Sequence, residues 1–335
     1  MEQAFACSFF CYNESMKHLK QFLFLFLSSA IVVFFSEKSF WYIQGYKLAP
    51  IILFYHIPTF FFLLSLQHYS ADNKFSLFLG GALFGFITEG VLTTTLYEDG
   101  YLNLMSISYT SLGWHAIFSA TFGWYYLHKW LVARDVKKII LFSIAFGLFW
   151  GLWSLVFWMP VNINEPLFQP PEFTPGRWAW GDFTLFTFVM TITLMLAHWL
   201  ISFVWPDTFK PSKPVIVIAI IVAFFVFVGQ VFLSYPFAPI KLAAVIAPTI
   251  IFLVINQKKS SRAPMLQSLK GKVFLQDTAW ILLMPTAASL VYGFAAIINL
   301  NTDIISLVSA VPGIYGLTIL GWFFWIGSML SISRM

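Results

Sequence analysis

An all-α, polytopic transmembrane helix bundle of about ten spans is the fold class that this 335-residue sequence predicts, on three observations. The chain is 59% hydrophobic and 20% aromatic but only 10% charged, where soluble domains carry roughly a quarter. Apolar runs long enough to cross a bilayer recur from end to end, and lipid offers no partner to loose backbone groups, so each run must be a helix. With the N-terminus inside, all but four of the nineteen Lys and Arg (Lys38, Lys47, Arg177 and Lys241) fall on the inner face. Adding or removing one span scrambles that partition, so the excess of inner cations supports the count and places both termini in the cytoplasm.

Residues 1–19 read as a short cytoplasmic tail and 20–335 as a single transmembrane domain. Met16 opens a sequence that looks like a natural start, which makes 1–15, with Cys7 and Cys11, an upstream extension or a tail without a disulfide framework. The first span, 20–36, follows Lys17, His18 and Lys20 and ends at Ser36-Glu37-Lys38 without a cleavage site, so it reads as a retained anchor. The second, 48–66, carries His56 just before Pro58, whose missing N–H frees the carbonyl of Phe54.

The third span, 75–97, sets Gly81, Gly85, Glu89 and Thr93 at four-residue intervals. Small residues at that spacing admit a neighbouring helix, and an ionisable group in a span costs at least about 2.5–3.5 kcal/mol, so Glu89 points into protein. In the fourth span, 109–128, Ser108, Ser111, His115 and Ser119 form a polar row with Gly123 one turn on. A short turn joins these two spans and makes them antiparallel neighbours. Glu89 lies about eight residues from its outer end and His115 about six, so the two share a depth, and His56 falls at the same level.

The fifth span, 139–160, leads to an outer segment, 160–182, with five prolines between Pro160 and Pro175, which reads as an extended cap. Trp178 suits the interface, and Arg177 and Asp182 offer charge there, Arg177 to hold a phosphate or carboxylate or to pair with Glu172 or Asp182. The sixth span, 183–205, presents Thr184, Thr187, Thr191 and His198. Spans 215–234 and 238–256 follow, then a basic inner segment, 257–277, suited to the leaflet surface, and spans 278–299 and 304–331. Division into five plus five invites an inverted repeat, yet spans one and six lack matching Gly or Pro breaks.

Three readings compete for His56, Glu89 and His115: a pair that holds helices together, an acid/base or proton-relay site, and a metal site, for which no ligand spacing speaks and to which no residue is assigned. Geometry speaks against paired haems, because His56 and His68, like His115 and His128, would point roughly 120–140° apart on straight helices. Signature motifs of intramembrane metalloproteases, rhomboids, prenyltransferases, desaturases, Walker NTPases and retinal proteins are missing. Forty Phe and fourteen Trp supply apolar walls for an acyl or isoprenoid chain.

The leading functional expectation is an enzyme or binding protein acting on an apolar, lipid-like molecule at an outward-facing site. Glu89, His115 and His56 are its catalytic candidates, and Arg177, Asp182, Trp178, Ser111 and Ser119 its substrate contacts. A proton-coupled transporter and a structural or assembly factor are the alternatives. Expected partners are membrane lipids and a hydrophobic small molecule, with no nucleic acid, since the net charge of +5 follows from topology and attraction to anionic lipid. A prokaryotic cytoplasmic membrane is the simplest location; cofactor and oligomeric state are left open.

Overall fold

A computed structural model describes residues 2–39, 47–98, 104–157, 180–298 and 313–335, with side chains from Met16 onward except those of 156, 157 and 296. Every regular element among these residues is helical. Helix α1 (Glu2–Val33) continues into a wide, five-residue-bonded turn, Phe34–Lys38. Residues 2–15, expected outside the span, are therefore wound into the same helix. Their sequence has no Gly or Pro to break it.

Helices α2 (Leu48–Phe54) and α3 (His56–His68) bend by 41° at Tyr55. Pro58 explains the bend, because it cannot bond back to Phe54. Helix α4 (Lys74–Ile87) starts at a capping box in which the Asn73 side chain accepts from the backbone N–H groups of Phe75 and Ser76, and it ends in a second wide turn, Thr88–Leu92. Helix α5 (Ile107–Tyr126) is wound in the wide manner throughout and runs on through Leu127–Ala133 until Arg134 takes a left-handed conformation. Then come α6 (Val136–Phe157), α7 (Trp180–Val204), α8 (Lys213–Phe227), α9 (Ala238–Lys259), α10 (Leu283–Ile297) and α11 (Leu317–Arg334).

Eight of the described helices are long and apolar enough to cross a membrane, and the bent α2–α3 pair makes a ninth. The expected fourth span is helical, as α5, but it falls outside that set: its Ser, Thr and His residues dilute its apolar character. This makes sense from its position, since α5 is buried along most of its length. Its neighbour α4 is 94% buried over its apolar window, whereas α8 at 6% is the most peripheral. Together α4 and α5 form the centre of the bundle, with α1, α3, α9 and α11 packed around them.

Glycine permits that central contact. A Cβ on Gly85 would lie 2.0 Å from the carbonyl oxygen of Ser111, and one on Gly81 3.0 Å from that of Ala116. The four-residue glycine row thus faces α5, as its spacing predicts.

Candidate functional site

Three wide-wound segments converge where ionisable residues are most expensive. Glu37 lies in the first, Glu89 in the second and His115 in the third. Wide turns occur frequently at functional sites, and extra residues per turn bring positions four apart on α5 closer to one line than 3.6-residue winding would.

His115 Nε2 and Glu89 Oε1 are 2.5 Å apart, and both side chains are buried. On its other side, His115 Nδ1 is 3.0 Å from Ser36 Oγ, which lies 2.8 Å from Ser119 Oγ. The second carboxylate oxygen of Glu89 accepts from Thr93 Oγ1 at 3.2 Å, and Thr93 in turn contacts Thr95 at 3.0 Å. Beside this chain, the phenol of Tyr55 donates to Glu37 Oε1. The Tyr55 ring stands 6.4 Å from the imidazole and Phe84 packs edge-on at 5.7 Å. Lys38, also buried, donates to Thr193 Oγ1 on α7 at 2.9 Å.

The chain from Ser119 to Glu89 has two self-consistent hydrogen arrangements. Ser36 donates to Ser119, so Nδ1–H donates to Ser36. A neutral imidazole then accepts at Nε2 from a protonated Glu89, and an imidazolium donates at Nε2 to the carboxylate. The two differ only in which side of the short Glu89–His115 contact holds the proton.

Of the expected site residues, the structure joins Glu89, His115 and Ser119. His56 is not with them: its Nδ1 bonds the Ile52 carbonyl of the preceding turn at 2.7 Å, and its ring packs on Phe22 and Phe26. One residue is about 100° of helix, so Tyr55 faces the dyad and His56 turns away. Ser111 is buried, but its hydroxyl has no partner among the described residues, and its carbonyl abuts Gly85. Asp182 is exposed at the start of α7. Arg177 and Trp178 lie outside the described residues, as does the rest of the proline-rich cap through 179.

Sequence reasoning overlooked Ser36, Glu37, Lys38 and Tyr55. The signal was there: a Ser-Glu-Lys triplet directly after an apolar run reads equally as a loop or as one more helical turn. The bend at Pro58 was legible, but which of its neighbours it aims inward was not. Further along, His128 and His198 are also buried, with Nδ1 atoms 3.3 Å apart, and His128 stacks on Trp205 at 4.6 Å. Among the described residues no three His, Cys, Asp or Glu side chains gather as a metal site.

The fold is all-helical, with eight of the described helices long and apolar enough to cross a membrane, the mark of a membrane protein, and at its centre lies a buried carboxylate–imidazole dyad. No family model matches the sequence, and neither curated proteins nor solved structures give a match.

Proposed function

We propose that this protein carries out acid/base chemistry on an apolar, lipid-like molecule at the Glu89–His115 dyad, in a bundle of about ten spans with both termini in the cytoplasm. The observation that carries the reading is the buried hydrogen-bonded chain from Ser119 through Ser36 and His115 to Glu89; in this reading it is the Glu89–His115 end of that chain that gives and takes a proton. A structural clamp needs only the Glu89–His115 contact; the hydroxyl chain and a second carboxylate–phenol pair beside it are surplus to that role.

Glu89 is the general acid or base, His115 sets its protonation, and Ser36, itself bonded to Ser119, holds the ring at Nδ1. Tyr55, with Glu37, supplies a second acid on the same side. His56 has no part in it. Arg177, Trp178 and Asp182 provide polar head-group contacts from the outer segment, and the aromatic surroundings suit an acyl or isoprenoid chain.

Native mass spectrometry of gently solubilised protein beside Glu89→Gln tests this. A lipid-like mass carried by the wild type and lost from the variant, with thermal stability retained, is the expected result. Bare protein in both samples overturns the reading.

A second reading, proton-coupled transport, is favoured by one observation: Lys38–Thr193 and His128–His198 place buried polar groups at two levels along α7 toward Trp205. Proton uptake into liposomes driven by a substrate gradient, abolished in Glu89→Gln, selects it.

A further inference from the structure

A second cluster of charge lies far from Glu89. A pocket of about 820 Å³ opens between residues 16–21 in the middle of α1, the corner after α7 and the stretch 270–272. Its charged residues are Lys17, Lys20, Lys270, Lys272 and Asp207, four lysines against one carboxylate. Asp207 already pairs with Lys270, and that ammonium holds its carboxyl below the usual carboxylate range. The other three lysines are exposed and form no ion pair among the described residues.

The remaining lining is equally one-sided. Gln21 contributes a buried amide nitrogen with no hydrogen-bond partner among the described residues. Ser202 and Thr208 add hydroxyls, and Phe203 and Trp205 give an apolar wall. Such a site offers many donors, and its one carboxylate is engaged, which is the chemistry of an anion with several oxygens. The apolar run of α1 follows directly after Lys20, so the pocket sits where apolar helix gives way to charge. Phosphate groups of lipids occupy that level. Sixteen residues of α1 separate Lys20 from Ser36, roughly 24 Å, so this site is distinct from the dyad and independent of the acid/base reading.

We propose that this pocket binds the phosphate of an anionic phospholipid head-group. The full chain is reconstituted in phosphatidylcholine nanodiscs doped with phosphatidylglycerol, released, and examined by native mass spectrometry for retained lipid. Wild type should keep phosphatidylglycerol in preference to phosphatidylcholine. The double variant Lys17→Gln/Lys20→Gln should weaken that retention about twenty-five-fold, at roughly fivefold per lysine, whereas Lys258→Gln/Arg262→Gln, on exposed cations elsewhere in the chain, should not. Asp207→Asn should strengthen it by releasing Lys270.

Inorganic phosphate added during release separates the two sources of the same chemistry. Displacement of the lipid shows that free phosphate also fills the site, and persistence shows that the lipid-anchored head-group is required; both support it. Equal loss in the two double variants, or no preference for phosphatidylglycerol, overturns the proposal and leaves a diffuse basic surface. Should the first double variant lose its thermal transition, Lys272→Gln alone carries the same comparison.

Discussion

Removing His115 should hurt this protein more than neutralising Glu89. His115→Ala leaves a buried carboxylate facing a void, and breaking a buried ionic pair from one side costs about 3–5 kcal/mol. Glu89→Gln keeps an acceptor for Nε2 and removes the charge together, so its cost should stay within the roughly 1–2 kcal/mol seen for polar contacts between membrane helices. Unfolding in mixed detergent micelles measures both, and a larger loss for Glu89→Gln than for His115→Ala contradicts the pairing described. Ser36→Ala tests the Ser36 end of the chain separately. It should keep the fold and any bound lipid-like mass but speed exchange of the His115 Nδ1 proton seen by NMR, which a Ser36 not bonded to the ring would leave unchanged.

Helix α4 shows how one missing methyl group sets an element's position. With 2.0 Å between a Cβ at Gly85 and the Ser111 carbonyl, Gly85→Ala must part α4 from α5, and the dyad with them. A loss above about 3 kcal/mol is expected, beyond the usual range for overpacking, together with loss of the Glu89–His115 contact. Gly327 in α11 is the contrast: nothing lies within 4 Å of its Cβ position, so Gly327→Ala should stabilise the helix by up to about 1 kcal/mol.

The connection after α7 responds to pH instead. Because Lys270 holds the carboxyl of Asp207 below its usual value, the pair contributes fully above the ordinary carboxylate range and is lost as pH falls through the lowered value. Amide protection at residues 207–210, taken relative to the intrinsic exchange rate at each pH, should therefore be flat through mildly acidic pH and fall only below about pH 4. A loss of protection centred near neutrality points to a different group.

At the scale of the whole molecule, the ten-span arrangement with inner termini is open to a direct check. With Cys7 and Cys11 replaced by Ser, a single cysteine at position 258 should react with a membrane-impermeant reagent only after the membrane is opened, and one at position 182 from outside intact cells. Labelling of both from the same side removes the topology. The peripheral α8 fits such a bundle: it is apolar and has no buried residue, as expected of a helix whose solvent is lipid.

Class and much of the site were legible before any coordinates. Hydrophobic length and the sidedness of cations lead to a helical membrane protein, because a bilayer leaves so few ways to satisfy a backbone. The glycine row and the polar row on successive spans lead to Glu89 facing His115, because neighbours joined by a short turn must pack and must hide their polar faces from lipid. Tertiary structure alone decided what completes the pair. Ser36 and Glu37 enter because α1 winds one wide turn past its apolar run, and Tyr55 replaces His56 because a 41° bend chooses which face of a helix points inward. Those are questions of azimuth and helix ending, set by contacts between segments distant in the chain, and no local pattern of residues carries them.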